Sequence, residues 1–207
     1  HADAMVSGLT RSFQSTFTNV TRVIDHVKDN QFVSTSMMIS KGRTVFIGDT
    51  SIHERPTGEE LAKIAKSIAE KARSMWHVPR VAFLSFSNFG SSHSDITVAA
   101  QDAVKVLDSQ TDVGFEYEGE MTADVALDFE LMKDRYPFSR LTGAANVLIM
   151  PGLHSANISF KLMQQLGGGS VIGPMMLGSQ YPFQIVQMGS SVNDLVTAAA
   201  LAAYEAL

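Results

Sequence analysis

The spacing of apolar residues along the chain changes repeatedly between two patterns. Short runs rich in β-branched residues predict strands, and between them apolar residues recur every three or four positions, the period of one helix face. Residues 80–87 form a nearly continuous apolar run, which is typical of a buried parallel strand. Thr57 and Glu60 have the spacing of a capping box, so a helix is predicted to begin there, with an apolar face that continues to Ala72.

The other elements are predicted from the same two spacings. Gly42 supplies the turn of a hairpin between the second and third strands. The alternation of strands and helices predicts an α/β fold, a three-layer arrangement in which helices cover both faces of a sheet. The remaining strands are expected at 4–7, 32–40, 44–48, 113–118, 146–150, 171–177 and 183–187, and the remaining helices at 10–27, 95–107, 123–133, 155–166 and 191–207.

Ligands of such sheets bind beyond the carboxyl ends of the strands, often against a helix N-terminus. Three junctions of this kind are predicted, at 85–94, 150–157 and 187–194. In the last of them, Ser190, Ser191 and Asp194 could meet an anion or an acyl group. Ser191 and Asp194 also have the spacing of a second capping box, and the residues alone favour ordinary capping.

Composition narrows the classes of protein to which the chain can belong. Of its 207 residues, 45% are apolar and 18% are charged, so disorder is excluded as the overall state. No uninterrupted apolar stretch approaches the ~18 residues of a membrane span. The charged fraction is below the ~25% of a typical soluble domain, which predicts that a partner covers part of the surface.

Charge and cysteine content exclude several kinds of site. The net charge of −5 comes without a basic run, which argues against nucleic-acid binding. The absence of cysteine excludes disulfides, thiolate metal sites and thiol nucleophiles. We expect a cytoplasmic protein, and the start at His1 without a signal peptide predicts a fragment or a processed product.

Common catalytic motifs are missing from the sequence. It contains no dinucleotide-binding G-x-G-x-x-G, no P-loop and no G-x-S-x-G. Glu116, Glu118 and Glu120 would share one strand face and could collect a cation, but a solvated strand face is the favoured interpretation. His154 is interpreted as a loop residue that caps the next helix. The residues alone therefore give an α/β domain with helix starts suited to anions and no complete catalytic set, and we predict no metal site.

Six segments, in order, resemble those of phosphate acetyl/butyryltransferases. The most specific is 79–91, Pro-Arg-Val-Ala-Phe-Leu-Ser-Phe-Ser-Asn-Phe-Gly-Ser, which is similar to the family pattern P-x-x-A-x-L-S-F-S-x-x-G-S. Residues 119–127 resemble the family's G-E-x-Q-x-D-A-A. The resemblance covers essentially the whole chain. The other four segments are 145–151, 157–166, 172–174 and 189–196.

Further segments are similar to one branch of that family, the C-terminal phosphotransacetylase-like part of bacterial hybrid malic enzymes. The resemblance implies a two-lobed fold like that of phosphotransacetylase and isocitrate dehydrogenase, with an incomplete N-terminal lobe. Residues 1–207 would form one such domain, in which about 30–170 make the complete lobe and 1–29 and 171–207 belong to, or bridge to, the truncated one. The segments are 2–11, 124–127, 135–143, 154–156 and 182–186.

Several positions depart from the pattern of the active members of the family. Gln165 replaces the arginine of N-x-x-x-K-x-x-Q-R-L, and Gln187 and Met188 replace the serine and arginine of S-R-G-x-S-x-x-D. A third family arginine falls at Thr18. Acyl transfer from acetyl phosphate needs cations that stabilise the charge developing in the transition state. The resemblance therefore implies a module without acyltransferase activity.

The resemblance also implies a role. It implies a regulatory and assembly domain of an NADP-dependent malic enzyme, with acetyl-CoA as an allosteric effector. The partners would be further copies of the chain and an N-terminal malic enzyme domain, which would carry the NADP and divalent-metal sites. Two alternatives stay open, an active phosphate acetyltransferase and a pure oligomerisation module. Family positions and helix-start geometry suggest the effector-binding residues Arg11, Asn157, Lys161, Ser190 and Asp194.

Overall fold

A computed structural model describes residues 2–28, 30–167 and 169–207 of the chain. These described residues form eight strands and seven helices. The strands are β1 (Met5–Gly8), β2 (Val33–Ser40), β3 (Arg43–Gly48), β4 (Arg80–Leu84), β5 (Glu116–Met121), β6 (Val147–Ile149), β7 (Ser170–Leu177) and β8 (Phe183–Val186). The helices are α1 (Phe13–Val20), α2 (Gly58–Ser74), α3 (Asp95–Asp108), α4 (Ala123–Leu127), α5 (Phe129–Arg135), α6 (Leu153–Leu166) and α7 (Val192–Glu205).

The larger sheet has six strands in the order β5-β4-β6-β3-β2-β7. β3, β6, β4 and β5 are parallel to one another, and β2 is antiparallel to both of its neighbours. The predicted hairpin is confirmed, because β2 and β3 pair from Thr35 opposite Gly48 to Ser40 opposite Arg43. The four parallel strands therefore end at one edge of the sheet.

Helices cover both faces of this sheet, so the predicted three-layer α/β architecture is confirmed. Val81 and Phe83 of β4 belong to the core formed with α2 and α3. The alternate residues Ala82 and Leu84 belong to the core formed with α4, α5 and α6. The continuous apolar run of β4 is explained by this burial on both faces, since successive side chains of a strand point to opposite sides.

The second sheet has two parallel strands, β1 and β8. Phe183 and Ile185 of β8 form a smaller core with Val20 of α1 and Met176 of β7. β7 pairs with β2 in the larger sheet and also contributes to this smaller core. It therefore connects the two sheets.

Glu205, at the end of α7, ties that helix to both parts of the fold. Its carboxylate accepts a hydrogen bond from Nζ of Lys71 in α2 at 2.5 Å and from Nε2 of Gln184 in β8 at 3.0 Å. The three side chains are buried or half-buried. No helix among the described residues is both long enough and apolar enough to cross a membrane.

The helix predicted at 10–27 is wrong in length, because α1 ends at Val20 with Thr21 as its C-cap. The N–H of Val27 then donates to the carbonyl of Gly178 at 2.8 Å. Residues after α1 therefore pair with the turn that follows β7 instead of continuing the helix. Apolar spacing did not reveal this end, because it continues to Val27, which is exposed in the structure.

Two other elements also differ from expectation. The helix predicted at 123–133 is two helices, because Asp128 stands between them in an extended conformation and caps α5 by accepting from the N–H of Leu131 at 3.1 Å. The strand predicted at 113–118 begins three residues later, at Glu116, which is opposite Arg80 of β4. Pairing with β4 thus decides where β5 begins.

Candidate functional site

A cavity of about 420 Å³ lies between the two sheets, bounded by α6, β7, the end of β8 and the start of α7. We call this cavity the cleft. Its lining includes Lys161 of α6, Gly173 of β7, the loop 187–190 and Asp194 of α7. It contains the third of the junctions that the sequence singled out.

Two glycines shape the walls of the cleft. Gly189 has a φ of +83°, in the left-handed region, so the loop before α7 can turn there without strain. Gly173 has a φ of +124°, and a Cβ at this position would lie 2.9 Å from the carbonyl oxygen of Thr35. The wall formed by β7 therefore depends on the absence of a side chain at Gly173.

Charge is sparse in the cleft. Among the described residues that line it, Lys161 is the one cation and Asp194 the one anion. Nζ of Lys161 donates to Oε1 of Gln187 at 3.1 Å, which joins α6 to the loop before α7. The Lys161 ammonium is exposed, so it can exchange this neutral partner for an anion.

The predicted capping box at the start of α7 is confirmed. Oδ2 of Asp194 accepts from the N–H and the hydroxyl of Ser191, both at 2.8 Å. The Ser191 Oγ accepts in turn from the N–H of Asp194 at 3.2 Å. Asp194 thus has a structural role, which the residues alone had favoured.

Three of the five residues predicted to bind an effector come together in the cleft, namely Lys161, Ser190 and Asp194. Asn157 lies one turn before Lys161 on α6 and is hydrogen-bonded to the loop after β3. Arg11 lines a different pocket, of about 410 Å³, between β1 and α1. The described cleft lining includes neither Asn157 nor Arg11.

Gln184 is a cleft residue that the sequence reasoning missed. It is buried in β8, where its Oε1 accepts from the N–H of Met176 at 2.9 Å and its Nε2 donates to Glu205. A glutamine inside the apolar run 183–186 is the signal that could have marked it, because a buried amide must find partners.

The interpretation of the acidic strand β5 as a solvated face is wrong, because Glu118 and Glu120 are buried. Oε1 of Glu120 accepts from the hydroxyl of Ser87 at 2.9 Å and from the N–H of Gly90 at 2.8 Å. Oε2 of Glu118 accepts from Nε of Arg140 at 3.1 Å. No group of three or more metal-ligating side chains occurs within 2–28, 30–167 and 169–207.

Arg140 links Glu118 to the surface beside β5. Its Nη1 donates to Asp108 at 2.6 Å, and this bond lowers the pKa of the Asp108 carboxyl. Burial raises the pKa of Tyr117, with a further contribution from its hydrogen bond to Asp108. Burial opposes the charge of Arg140, but hydrogen bonds to Glu118 and Asp108 raise its pKa overall. This ion-pair cluster joins the end of α3 to the edge strand β5, and its members are not among the described cleft residues.

The interpretation of His154 as a cap is also wrong. α6 begins at Leu153, so His154 lies inside its first turn. The N-cap is Gly152, which has no side chain to accept a hydrogen bond. The functional alternative, catalysis by His154, stays without support.

A family model described as phosphate acetyl/butaryl transferase matches residues 1–203 of the chain. The chain belongs to this family. The chain is 47% identical over 205 residues to an NADP-dependent malic enzyme of Rhizobium meliloti, covering 99% of the chain and 27% of the malic enzyme. It is 31% identical over 207 residues to a phosphate acetyltransferase of Bacillus subtilis, covering all of the chain and 64% of that relative.

The fold of a phosphotransacetylase from Streptococcus pyogenes is similar, with a TM-score of 0.92 and 30% identity, over 99% of the chain and 63% of that structure. The predicted phosphotransacetylase-like fold is therefore confirmed. The chain spans only about a quarter of the length of the malic enzyme relative, and less than two thirds of the phosphate acetyltransferase.

The four positions predicted to depart from the family pattern lie in different places in the fold. Gln187 and Met188 line the cleft directly. Gln165 is exposed near the end of α6, one residue beyond the lining residue Gln164. Thr18 is on α1, where its hydroxyl donates to a carbonyl of its own helix. Of these four residues, the two in the loop before α7 are therefore the ones that line the cleft.

Replacing Ser191 by alanine is expected to lower the free energy of unfolding by about 1 kcal/mol, because the N–H of Asp194 loses its acceptor. Urea denaturation followed by circular dichroism measures this change. Ser190→Ala, at the neighbouring position outside the cap, is the control and should change stability by less than about 0.5 kcal/mol. Equal stability of the two variants would show that the capping box does not support α7.

Proposed function

We propose that the chain is the C-terminal regulatory and assembly domain of an NADP-dependent malic enzyme, and that it binds acetyl-CoA in the cleft without transferring the acetyl group. The 47% identity to the Rhizobium meliloti malic enzyme supports this host, since it is well above the 31% identity to the Bacillus subtilis phosphate acetyltransferase. NADP and the divalent metal would then be bound by a malic enzyme domain outside this chain.

The composition of the cleft is the observation that carries the proposal. Gln187 and Met188 stand where the pattern of active family members has serine and arginine, and both line the cleft. Neither side chain can supply the positive charge that a transferring phosphoryl group requires. Lys161 alone among the described lining residues is cationic, which suits recognition of an anion better than catalysis.

The cleft has the features of a ligand site. Its volume of about 420 Å³ lies within the range of small-molecule pockets. Lys161 can pair with a phosphate of coenzyme A, while the side chains of Met188, Ile172 and Phe160 provide apolar contacts. Ser190 offers a hydroxyl beside them. We retain Arg11 and Asn157 as predicted contacts on neighbouring surfaces.

Regulation requires that acetyl-CoA bind one global state better than another. The cleft is suited to this because β7 and α6, which belong to the larger sheet layer, form one wall, and β8 with α7 forms the other. A ligand that contacts both walls favours the arrangement in which they are closest. Such binding can affect a malic enzyme domain only if that domain is in contact with this module.

Assembly is supported by an exposed apolar stripe on α6. Ile158, Leu162 and Leu166 recur at every fourth position and are exposed. Exposed patches of this kind often mark interfaces. A homo-oligomer that buries the stripe would explain the low charged fraction of 18%.

A thiol-release assay with acetyl-CoA and phosphate tests the absence of catalysis. We expect release at background level, because the loss of even one transition-state donor can cost about 10²–10³ in rate. Gln165→Arg/Gln187→Ser/Met188→Arg, which puts back the family residues, is the matched variant. Thiol release by the unmodified chain that Asp194→Ala abolishes would favour an active phosphate acetyltransferase.

Gel filtration together with acetyl-CoA titration distinguishes the proposal from the other alternative, a pure oligomerisation module. An oligomer that binds acetyl-CoA agrees with the proposal. An oligomer that gives no binding heat would favour a pure oligomerisation module.

A further inference from the structure

Trp76 ends helix α2 in a backbone conformation that glycine normally provides. Its φ is +64°, in the left-handed region, and it directly follows the C-cap Met75. The N–H of Trp76 donates to the carbonyl of Arg73, and the N–H of His77 donates to the carbonyl of Ala72, both at 3.0 Å. These two bonds form a Schellman motif, in which the residue after the C-cap is usually glycine or asparagine. A tryptophan is therefore placed here at a cost to the backbone.

The side chain of Trp76 is almost entirely in water. Trp76 is 93% exposed, and Val78, two residues further along, is 71% exposed. Tryptophan is highly buried on average in folded proteins, so this exposure is unusual. Packing within the described chain thus does not offset the cost of a tryptophan at this position. A second molecule that covers the indole would explain why a large apolar residue stands there.

A pocket of about 410 Å³ lies next to Trp76, since the following residue, His77, lines it. Val78 and Phe115 give this pocket apolar walls. The ring of His77 packs edge to face against the buried ring of Phe46, with 5.6 Å between the centroids, so this wall is anchored in the core. An exposed indole and an apolar pocket therefore occur side by side on one surface.

Arg73 and Glu116 line the same pocket and carry opposite charges. Arg73, in the last turn of α2, donates to the carbonyl of Gly114 at 2.5 Å. Glu116, at the start of β5, accepts from the N–H and the hydroxyl of Thr142 at 2.9 and 2.7 Å. These partners are neutral, and neither Arg73 nor Glu116 forms an ion pair within residues 2–28, 30–167 and 169–207. A surface with both a protruding ring and a pocket, and with both charges, is complementary to itself.

We propose that this surface is a two-fold contact between two copies of the chain, and we call it the Trp76 surface. Trp76 of each copy enters the pocket of the other, and Arg73 of each copy meets Glu116 of the other. A two-fold axis produces both exchanges at once, because the same patch is used on both sides. Tryptophan and arginine are among the residues that most often dominate the energy of an interface. The surface is formed by Arg73, Trp76, Val78, Phe115 and Glu116.

The Trp76 surface is separate from the other surfaces described above. Among the described residues, its pocket and the cleft have no lining residue in common, so the contact leaves the cleft open to a ligand. It also lies on elements other than α6, which carries the exposed apolar stripe. If copies of the chain cover both the stripe and the Trp76 surface, the assembly contains more than two chains. The contact does not depend on acetyl-CoA binding.

The fluorescence of Trp76 reports on this contact directly, because the sequence contains no other tryptophan. We expect the associated 207-residue chain to emit at the wavelength of a buried indole. On dilution the emission should shift to that of an indole in water, in step with the dissociation measured by analytical ultracentrifugation. Emission of a water-exposed indole from every associated species would overturn the proposal. Emission of a buried indole from the monomer would overturn it as well, because the indole would then be covered by its own chain.

Trp76→Gly tests the energy of the contact without disturbing the fold, because glycine is the residue that the Schellman motif favours. We expect this variant to remain folded by circular dichroism and to associate at least about 30-fold more weakly, the effect of losing an interface hot spot. Tyr181→Ala removes another exposed aromatic ring, outside the Trp76 surface, and should leave the association unchanged. Association of Trp76→Gly as tight as that of the unmodified chain would contradict the proposal.

Charge reversal tests the two-fold arrangement. Arg73→Glu and Glu116→Arg should each weaken the association measured by ultracentrifugation, because each places like charges opposite one another. The double variant Arg73→Glu/Glu116→Arg restores opposite charges across the axis and should recover the association. Recovery is expected only if the partner is a second copy, since a partner of different sequence would still present the original charges. Association that neither single reversal weakens, or that the double variant does not recover, would overturn the two-fold contact.

Discussion

Replacing Lys161 by alanine is expected to weaken acetyl-CoA binding about 10- to 100-fold. Lys161 is the one cation among the described residues that line the cleft, and its ammonium has only the neutral Gln187 amide as its hydrogen-bond acceptor there. Hydrogen bonds to charged groups contribute about 1.5–3 kcal/mol, which corresponds to the expected loss of affinity. Isothermal titration calorimetry measures the dissociation constants of both proteins.

Lys161→Arg keeps the charge and should bind within a few-fold of the unmodified chain. Lys133→Ala removes a lysine from the exposed side of α5, outside the described cleft lining, and should bind normally. Unchanged affinity in Lys161→Ala would place the ligand elsewhere, with the Arg11 pocket as the next site to examine.

Replacing Phe83 by alanine is expected to lower the free energy of unfolding by about 3–5 kcal/mol. Phe83 is 1% exposed at the centre of the larger sheet, in the core shared with α2 and α3. The cost combines the lost transfer of the ring from water with the cavity that remains. Urea denaturation monitored by circular dichroism gives the change.

Phe86→Ala is the matched control, because Phe86 comes from the same apolar run but is 65% exposed beyond the end of β4. It should change the free energy of unfolding by less than about 0.5 kcal/mol. Similar destabilisation by the two substitutions would mean that Phe83 is not packed in the core as described.

The contrast between Phe83 and Phe86 also shows which features of a strand the apolar pattern can predict and which it cannot. The run 80–87 correctly predicts a strand buried on both faces, yet the strand ends at Leu84. The end is decided by the neighbouring strand, since the N–H of Ser85 donates to the carbonyl of Met121 as the chain leaves the sheet. The apolar content of a segment cannot indicate where pairing with a neighbouring strand ends.

Local signals were the most informative part of the sequence. Thr57 and Glu60, like Ser191 and Asp194, form the capping boxes that their spacing predicts, because all the partners lie within one helical turn. Glu118 and Glu120 show the opposite case. Their partners Arg140 and Ser87 are more than twenty residues away, so their burial could not be inferred from the alternation of β5.

The candidate site was predictable only in part for the same reason. Lys161, Ser190 and Asp194 were found through helix starts and the family resemblance, and they do lie together. Gln184 was missed because its partners are Met176 of β7 and Glu205 of α7. These contacts depend on how the two elements pack against β8, which apolar spacing does not specify.

Isothermal titration of the 207-residue chain with acetyl-CoA, up to millimolar ligand, tests most directly whether the cleft is an effector site. Binding in the cleft predicts saturable heat with one acetyl-CoA for each chain, and a weaker isotherm for Lys161→Ala. The absence of heat at millimolar acetyl-CoA, from a sample shown by circular dichroism to be folded, would contradict it.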